Sequence, residues 1–309
     1  MISVIIPTYN AAGPIEECLK SLVSQKTKAM EIILVDSSST DETLKKAERY
    51  ADRILKIPQG RRPAIARNRG AEVAAGDLFI FVDSDVVLRR DSIEKAISSL
   101  AEYNLDAISG VYSDDAPRSN FLSELQNLIL IYRFSHPKKD AGLLNSAFCA
   151  IKKEVFNKAG GFDERMVYYE DIELGHRLFN VGCRLRLDPS LRVTHLKRFC
   201  FKSLINDYFK KSLSSGQYRK RGFLNKLKID GVPLSIKIAG VSSFAIFATL
   251  PFVTIKPVLP LSSLIIYTLF LLPVLGFLCK RRGLLFSAAS YCVLFFVFLA
   301  SFLGLAYGF

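Results

Sequence analysis

The sequence predicts an α/β domain with a mostly parallel central sheet, followed by a C-terminal membrane domain. Residues 1–110 alternate short apolar runs of strand type with helix-like stretches. Runs such as SVIIP and EIILVD are continuously apolar, as is typical of strands buried on both faces. Long apolar segments without charged residues then occupy most of residues 234–309. Half of all residues are hydrophobic, which is high for a protein without membrane segments.

The predicted elements follow one another in the βαβα order that favours a parallel sheet with helices on both faces. The predicted strands are Ile2–Ile6, Glu31–Val35, Arg53–Ile57, Leu78–Val82 and Ala107–Val111, and the predicted helices between them are Ile15–Gln25, Asp41–Tyr50, Pro63–Ala75 and Asp91–Tyr103. Residues 112–196 add helices at Phe121–Phe134 and Asp171–Val181 and short strands at Arg184–Leu187 and Leu191–Thr194. Residues 1–196 are therefore interpreted as one domain, whose ligands bind beyond the carboxyl ends of the strands.

The positive charge of the chain is confined to its C-terminal part. Residues 1–196 carry 27 Lys and Arg against 27 Asp and Glu, whereas residues 197–309 carry 15 basic and 2 acidic residues, which accounts for the net charge of +13. A basic excess beside apolar segments indicates an anionic membrane surface as the partner. A nucleic-acid-binding protein would more naturally carry a basic face on the folded domain. We therefore expect membrane lipids, and no nucleic acid, among the partners.

Residues 197–233 are predicted to form a basic amphipathic region beside the membrane. Residues 197–228 hold ten Lys and Arg and one acidic residue, interleaved with aromatic and aliphatic side chains. This mixture is typical of helices that lie in a membrane interface. A solvated basic linker is the alternative interpretation.

Three membrane helices are predicted, at about residues 236–255, 257–279 and 284–306. About 20 apolar residues span a bilayer, so the second and third are long enough, whereas the first is marginal. Basic clusters precede the first helix and separate the second from the third, and the positive-inside rule places both clusters in the cytoplasm. No signal peptide precedes the first strand, and the six cysteines show no paired spacing. We expect a multi-pass protein of the cell membrane with a cytoplasmic N-terminal domain.

Two aspartates directly after a buried strand form the strongest candidate site. In LFIFVDSDVVL, Asp83 and Asp85 stand two positions apart after the fourth predicted strand. Carboxylates at this spacing can present oxygens to one hard cation, and Mg²⁺ or Mn²⁺ commonly bridges such oxygens to phosphates. A D-x-D pair also occurs in ordinary turns, and only its position in the βα pattern favours a metal site here.

The ends of the first two strands carry side chains suited to a nucleoside. The first strand ends in PTYN, where Thr8 can form hydrogen bonds and Tyr9 can stack on a base. The second ends in VDSSSTDET, where Asp36 can accept a hydrogen bond from a base or ribose. The run Ser39–Asp41 is interpreted as a helix cap. An ordinary strand-to-helix loop is the alternative for PTYN.

Four arginines surround the start of the third predicted helix, in GRRPAIARNRG. Arginine is well suited to phosphate oxygens because its planar group donates several hydrogen bonds. Arg67 and Asn68 lie far enough into the helix to face the sheet or the site. Arg61, Arg62 and Arg69 are expected on the solvated surface.

An acidic pair and one histidine complete the candidate residues. Glu170 and Asp171, in YYEDIELGHRL, stand at the start of a predicted helix. An acid there either complements the helix dipole or acts as a general base that takes a proton from an acceptor hydroxyl. His195 follows a short strand, where it is either structural or a contact to metal or phosphate. The residues alone leave these alternatives open.

In this order, the motifs PTYN, LVDSSSTDET, ARNRGAEVAAGDLFIFVDSDV and GGFDE…YYEDIELGHRL resemble those of a family 2 glycosyltransferase with the GT-A fold, over roughly residues 1–196. The resemblance implies an inverting transfer from a nucleotide-diphosphate sugar, with Mg²⁺ or Mn²⁺ as the cofactor. It implies that Asp171 is the catalytic base and that Glu170 lies beside the donor sugar or the acceptor. The implied donor nucleotide contacts are Pro7, Thr8, Tyr9, Asp36, Arg67 and Asp83, and the implied metal contacts are Asp85, Asp83 and His195.

The chain departs from the processive synthases of this family. It contains no tryptophan, so it lacks their Q-x-x-R-W motif, which GQYRKR at 216–221 matches only loosely. Three apolar segments are also few for a polymer channel. The sequence therefore favours addition of one sugar to a membrane-associated acceptor, either a lipid-linked glycan or a polyprenyl phosphate.

Two other functions remain as alternatives. A membrane scaffold that binds nucleotide-sugar without turnover would have no reason to keep Asp83, Asp85 and Asp171 together. A nucleotidyltransferase would normally carry a glycine-rich phosphate loop after the first strand, and PTYNAAGPIEE contains no such loop. Both alternatives are therefore less well supported than a glycosyltransferase.

Overall fold

The chain forms two compact units in a computed structural model that describes residues 1–25, 29–58, 62–115, 120–135, 142–220 and 233–309. The first unit comprises Met1–Arg118 and Pro137–Lys197, and the second comprises Ser119–His136 and Arg198–Phe309. Arg61 and residues 221–232 of the predicted basic region lie outside the described residues. All six cysteines are free thiols, of which Cys18 and Cys149 are buried and Cys200 and Cys292 are exposed.

The described part of the first unit contains a mixed sheet of eight strands. They are β1 (Ile2–Thr8), β2 (Met30–Asp36), β3 (Arg53–Lys56), β4 (Leu78–Val82), β5 (Val86–Leu88), β6 (Ala107–Tyr112), β7 (Phe148–Lys152) and β8 (Leu185–His195). Their order is β3-β2-β1-β4-β7-β6-β8-β5. The pairs β1–β2, β1–β4, β2–β3 and β6–β8 are parallel, whereas β4–β7, β6–β7 and β5–β8 are antiparallel. The predicted α/β class is confirmed, and the sheet contains more antiparallel pairs than the βαβα pattern indicates.

The helices of the chain are α1 (Ile15–Val23), α2 (Thr43–Ala47), α3 (Pro63–Val73), α4 (Ser92–Glu102), α5 (Phe121–Phe134), α6 (Lys153–Lys158), α7 (Glu170–Asn180), α8 (Phe201–Lys220), α9 (Leu234–Thr249), α10 (Val258–Arg282) and α11 (Leu284–Gly308). Successive side chains of a strand point to opposite faces of the sheet. Val4 of β1 therefore packs in one apolar cluster with α1 and α4, and Ile5 packs in the other with α3, α6 and α7. The two clusters bury both faces of the sheet.

Helix α3 lies very close to strand β1 because Gly70 has no side chain. A Cβ atom at Gly70 would lie less than 3.0 Å from a methyl group of Ile5, a distance that real Cβ contacts do not show. Arg67 stands about one turn earlier in the same helix. The close packing therefore brings Arg67 to the carboxyl ends of the central strands.

Three parts of the sheet differ from the prediction. β5 and β7 were not predicted as strands, since each is a short run without clear alternation. β8 is one strand where two short strands were predicted, because the sequence Asp188-Pro189 inside it indicates a break. The pairing of β8 with β6 shifts register between Ser109 and Val111, so the strand continues past the irregular segment.

The second unit is built from α5 and α8–α11, which share one apolar core. Its buried side chains include Leu128 of α5, Leu204 of α8, Ile236 of α9, Tyr267 of α10 and Phe298 of α11. Helix α5, which the sequence analysis includes in residues 1–196, belongs to this unit. An amphipathic pattern shows that a helix has an apolar face but does not show which element covers it.

Three helices of the described chain are long and apolar enough to cross a membrane. The first comprises α9 and the 3₁₀ turn that follows it, Leu234–Phe252, with 19 residues. The other two are α10, Val258–Arg282, and α11, Leu284–Gly308, with 25 residues each. These helices agree with the three predicted segments, and their length and composition indicate membrane association. The cytoplasmic position of the first unit stays a prediction.

Helix α8 packs along the C-terminal half of α11, and both helices run in the same direction. A Cβ atom at Gly304 would lie less than 3.0 Å from the carbonyl oxygen of Phe209, and one at Gly308 equally close to the carbonyl oxygen of Leu213. Small residues four positions apart let helix backbones approach in this way. The predicted basic helix is therefore attached to one of the three candidate membrane spans.

We expect Gly304→Ala to destabilise the second unit, because the added methyl group would collide with the backbone at Phe209. Overpacking of this kind costs about 1–3 kcal/mol. The measurement is thermal unfolding of the detergent-purified protein. Gly276→Ala in α10 is the matched control, since a Cβ there meets no atom within 4 Å. Equal effects of the two substitutions would contradict the close packing of α8 on α11.

Candidate active site

The carboxyl end of β4 carries Asp83 and Asp85. The backbone N–H of Val86 donates to the carbonyl oxygen of Asp83 at 3.1 Å, which turns the chain into β5. β5 pairs with β8 so that Val86 lies opposite His195. This pairing places Nε2 of His195 3.6 Å from Oδ2 of Asp85. The structure thus brings together two of the three predicted metal contacts, which lie far apart in the sequence.

The aspartates and the histidine fit a divalent cation but supply only part of its coordination. The side chains of Asp83 and Asp85 are 33% and 26% exposed, so solvent and ligands reach both. Within the described ranges, no group of three or more His, Cys, Asp and Glu side chains is arranged to hold a metal ion. A cation bound through one or two carboxylates usually completes its coordination with substrate phosphates and water. The residues present therefore suit a cation that binds together with a phosphate-bearing ligand.

Arg67 is enclosed between two carboxylates. Its side chain is only 2% exposed. Nη2 donates to Oδ1 of Asp83 and Nη1 donates to Oε1 of Glu170, both at 2.7 Å. Burial lowers the pKa of Arg67, but the charges of Asp83, Glu170 and Asp171 outweigh this and raise it. The guanidinium is therefore positive at any working pH.

Glu170 and Asp171 begin helix α7 and have different partners. Tyr169, just before them, has a φ of 66°, a left-handed conformation that side-chain-bearing residues seldom adopt. Glu170 is buried and points to Arg67. Oδ2 of Asp171 accepts hydrogen bonds from the backbone N–H of Ser146 at 3.1 Å and from its hydroxyl at 3.2 Å. Glu170 is thus enclosed and bonded to Arg67, whereas Asp171 is held through one carboxylate oxygen by Ser146.

Burial raises the pKa of Glu170 to about 7, although the nearby Arg67 opposes this shift. Between pH 4.5 and about 7, an unfolded chain has released the proton that the folded Glu170 retains. The folded state then binds more protons, so the contribution of Glu170 to stability falls as the pH rises through this range.

We therefore expect the melting temperature of the wild type to fall relative to that of Glu170→Gln when the pH is raised from 5 to 7. The glutamine variant carries no titrating group at this position, so the difference isolates Glu170. Thermal unfolding of both proteins in the same buffers measures it. A difference that stays constant, or that shifts in favour of the wild type, would contradict the raised pKa.

The carboxyl ends of β1 and β2 form the predicted nucleoside side of the site. Pro7 and Thr8 lie in β1, and Thr8 stands opposite Asp36 of β2. Thr8 and Asp36 are buried, whereas Tyr9 is 39% exposed. The Asp36 carboxylate accepts hydrogen bonds from the backbone N–H and the hydroxyl of Ser39. A nucleoside at Asp36 would therefore share this carboxylate with Ser39.

The run Ser39–Asp41 is only partly the predicted helix cap. The N-cap position of α2 is Glu42, which forms no side-chain capping bond, and Asp41 just before it accepts a hydrogen bond from the backbone N–H of Thr43, the first residue of α2, at 3.0 Å. It also accepts one from the backbone N–H of Ala12 at 3.1 Å. The carboxylate therefore connects the loop after β2 to the loop after β1, on both sides of the predicted nucleoside site.

Ser146 is a site residue that the sequence did not indicate. It stands just before β7, and it holds Asp171 through two hydrogen bonds. Because β7 is antiparallel to β4, with Phe148 opposite Val82, its start lies at the carboxyl edge of the parallel strands. The direction of a single short strand cannot be read from sequence, so no signal pointed to Ser146.

Tyr112 is a second residue that the sequence analysis missed. It ends β6, and its ring lies on that of His195 with the centroids 4.9 Å apart. Burial, together with the charges of Asp83, Asp85 and Asp171, raises the pKa of Tyr112 well above its usual value. Tyr112 follows a predicted strand directly, so the rule that polar strand ends carry function could have identified it.

The predicted site residues therefore gather at one edge of the sheet. The partly exposed Asp85 carboxylate stands beside the imidazole of His195. The charge of Asp171, which Ser146 holds, contributes with those of Asp83 and Asp85 to the raised pKa of Tyr112. Such an arrangement can bind a cation with its phosphate ligand and can accept a proton from a hydroxyl group nearby.

The model of the family described as glycosyl transferase family 2 matches residues 3–160. Among curated relatives, the pre-mycofactocin glycosyltransferase of Mycobacterium tuberculosis is 29% identical over 210 residues, which cover 63% of this chain and 42% of the relative. The O-antigen chain rhamnosyltransferase WbaN of Salmonella anatum is 25% identical over 222 residues, which cover 67% of this chain and 70% of the relative. The chain thus spans less than half the length of the mycobacterial protein.

Two solved structures show the same fold. The mannosyltransferase PcManGT from Pyrobaculum calidifontis, in complex with GDP-Man and Mn²⁺, matches 99% of this chain and 86% of its own, with a TM-score of 0.62 and 18% identity. TarS 1–349 from S. aureus, in complex with UDP-GlcNAc, matches 91% of this chain and 92% of its own, with a TM-score of 0.51 and 18% identity. These matches show the GT-A fold that the sequence motifs imply.

Proposed function

Because the chain belongs to glycosyl transferase family 2, we propose that it transfers one sugar from a nucleotide-diphosphate sugar to a membrane-associated acceptor. The proposed reaction inverts the configuration of the sugar and depends on Mg²⁺ or Mn²⁺. The observation that carries the proposal is the meeting of two carboxylate pairs at one edge of the sheet. Asp83 and Asp85 end β4, Glu170 and Asp171 begin α7, and Arg67 contacts a member of each pair.

The nucleoside of the donor is proposed to bind at the ends of β1 and β2, against Pro7, Thr8, Tyr9 and Asp36. Tyr9 is exposed enough to stack on a base. The hydroxyl of Thr8 is buried and has no hydrogen-bond partner among the described residues, so a donor group could satisfy it. The complexes of PcManGT with GDP-Man and of TarS with UDP-GlcNAc support a nucleotide-diphosphate sugar as the donor.

The diphosphate is proposed to lie beside Asp83, Asp85 and His195. These residues would hold a divalent cation, which neutralises the charge that develops on a departing diphosphate. The pairing of β5 with β8 brings Asp85 and His195 together. Asp83 is fixed through its Oδ1 by Arg67.

Where the acceptor is a glycan, Asp171 is proposed to take the proton from its hydroxyl as that oxygen attacks the sugar and the bond from the sugar to the diphosphate breaks. A polyprenyl phosphate would attack through an anionic phosphate oxygen, which has no proton for a base to take. The two hydrogen bonds from Ser146 fix one oxygen of the Asp171 carboxylate. A single displacement needs no second carboxylate for a covalent intermediate, and it inverts the sugar. Glu170, which is bonded to Arg67, is proposed to lie beside the donor sugar or the acceptor.

The acceptor is proposed to be a lipid-linked glycan or a polyprenyl phosphate. Three helices suited to a membrane and the basic helix α8 support this proposal, as does the similarity to an O-antigen chain rhamnosyltransferase. The basic clusters before α9 and at the end of α10 support a multi-pass protein of the cell membrane with the catalytic unit in the cytoplasm.

A donor screen on the detergent-purified chain tests the proposal. The protein is mixed with Mn²⁺ or Mg²⁺ and with UDP-, GDP- and dTDP-sugars in turn, and thermal unfolding is recorded. We expect one class of nucleotide to stabilise the protein, by about 2.7 kcal/mol at a hundredfold excess over its Kd, and EDTA to remove this effect. Stabilisation that survives EDTA would contradict metal dependence, and its absence with every donor would contradict the donor site.

A further inference from the structure

The contacts of Arg67 differ from those of a ligand for the donor diphosphate. Its side chain is 2% exposed, and both Nη atoms already donate to carboxylates of the protein. One partner, Asp83, belongs to the donor side of the proposed site, and the other, Glu170, stands beside the proposed base. The Nη atoms are thus engaged by the protein's own carboxylates, whereas Nε is buried and has no hydrogen-bond partner among the described residues.

The surroundings of Arg67 hold its guanidinium in one place. The ring of Phe162 lies 5.4 Å from the centre of the guanidinium. Phe162 is itself fixed, because Asn68 donates to its carbonyl oxygen and accepts from its N–H, both at 2.9 Å. Its ring also packs against Phe81 of β4, with the centroids 5.1 Å apart. Two neighbouring residues of α3 thus bind three separate segments of the chain.

A guanidinium can connect two carboxylates in a way that an ammonium group cannot. It is planar and offers hydrogen-bond donors on separate nitrogen atoms in a fixed geometry. Because Nη1 and Nη2 of Arg67 each hold one carboxylate, the distance between Asp83 and Glu170 is set by the width of one rigid group. Lysine would keep the positive charge but lose this fixed distance.

We propose that Arg67 is a positioning residue, which holds Asp83, beside the proposed diphosphate position, and Glu170, next to the proposed base, at a fixed separation and does not bind the donor itself. This inference rests on the proposed function, which places the diphosphate beside Asp83 and makes Asp171, the neighbour of Glu170, the base. A misplacement of about 1 Å at a reacting group can cost about a hundredfold in rate. Arg67 therefore contributes to the rate of transfer through geometry, while donor affinity depends on other residues.

The test compares Arg67→Lys with the wild type in two measurements on the full chain. Calorimetry with UDP or GDP and Mn²⁺ gives the nucleotide affinity, and steady-state kinetics gives kcat. We expect the affinity to stay within about threefold and kcat to fall by about a hundredfold, the pattern of an interaction needed only in the transition state. Arg69→Lys is the matched control, because Arg69 lies two positions further on α3, is 48% exposed and pairs only with Glu72 in the described chain.

A second variant covers the case in which Arg67→Lys does not fold. Removing one member of a buried ion pair leaves an uncompensated charge, whereas Arg67→Met combined with Glu170→Gln removes both charges of the Arg67–Glu170 pair. We expect this double variant to lose more kcat than Glu170→Gln alone, in which Arg67 can still hold Asp83, and to retain its nucleotide affinity.

Two results would overturn the inference while leaving the proposed function intact. One is a loss of nucleotide affinity greater than about tenfold in Arg67→Lys, which would make Arg67 a donor ligand. The other is a kcat within about twofold of the wild type, which would show that the fixed separation does not matter. A wild-type protein that binds no nucleotide would instead overturn the proposed function, and the inference would fall with it.

Discussion

Asp171→Asn is expected to abolish sugar transfer while leaving donor binding nearly intact. Asparagine has almost the same shape as aspartate, and its side-chain oxygen can still accept the hydrogen bonds that Ser146 donates to Oδ2 of Asp171. Its amide group then replaces Oδ1, which accepts from the backbone N–H of Ile172 at 2.8 Å, so this one hydrogen bond is lost. It cannot take up a proton from an acceptor hydroxyl. General base catalysis contributes about 10²- to 10⁴-fold to a rate, so a loss of this size in kcat is expected. Nucleotide affinity should hardly change, because the proposed donor contacts are other residues.

Steady-state kinetics and calorimetry on the same preparation measure the two quantities separately. Asp91→Asn is the control, since Asp91 lies in the same unit, is 49% exposed and pairs with Lys95. It should change neither quantity. If Asp171→Asn turned over at nearly the wild-type rate, Asp171 would have to be removed from the role of the base.

Asp85→Ala is expected to weaken the metal-dependent binding of the donor. The carboxylate of Asp85 lies 3.6 Å from Nε2 of His195 and is exposed enough to reach a cation. Loss of a group that merely supports a metal ligand commonly costs about 10- to 100-fold in affinity, and a direct ligand should cost at least as much. The expected result is a rise in the Mn²⁺ concentration needed for nucleotide binding, measured by titration of Mn²⁺ at a fixed nucleotide concentration.

Asp77→Ala provides the comparison for this substitution. Asp77 precedes β4 at its other end, is 89% exposed and contacts the N-terminal amine. Its removal should not affect Mn²⁺-dependent binding. An unchanged Mn²⁺ requirement in Asp85→Ala would show that the cation, where one is used, is held by other groups.

The family and the central part of the fold could be predicted from sequence because the informative residues are local. A continuously apolar run indicates a buried strand, and Asp83 and Asp85 directly after such a run mark its carboxyl end. The same reasoning identified Thr8, Asp36 and the acidic pair that begins α7. The predicted membership of glycosyl transferase family 2 and the α/β fold are confirmed, whereas the roles of the single residues stay predictions.

The features that were not predicted depend on contacts between distant parts of the chain. β7 is a short strand whose antiparallel direction is decided by its neighbours β4 and β6, and Ser146 reaches the site only because of that direction. The partners of Arg67 lie 16 and 103 positions away. A sequence pattern shows that Arg67 faces inward, but not that two carboxylates will enclose it.

The packing of α8 against α11 has a consequence for the order in which the protein is made. Gly304 and Gly308 are synthesised long after Phe209 and Leu213, whose backbone they contact. Helix α8 therefore leaves the ribosome with its packing surface uncovered, and it stays so while α9 and α10 are made. Since transiently exposed apolar surface promotes aggregation, a nascent chain halted before α11 should be degraded faster than one released after it, even though both contain the whole first unit.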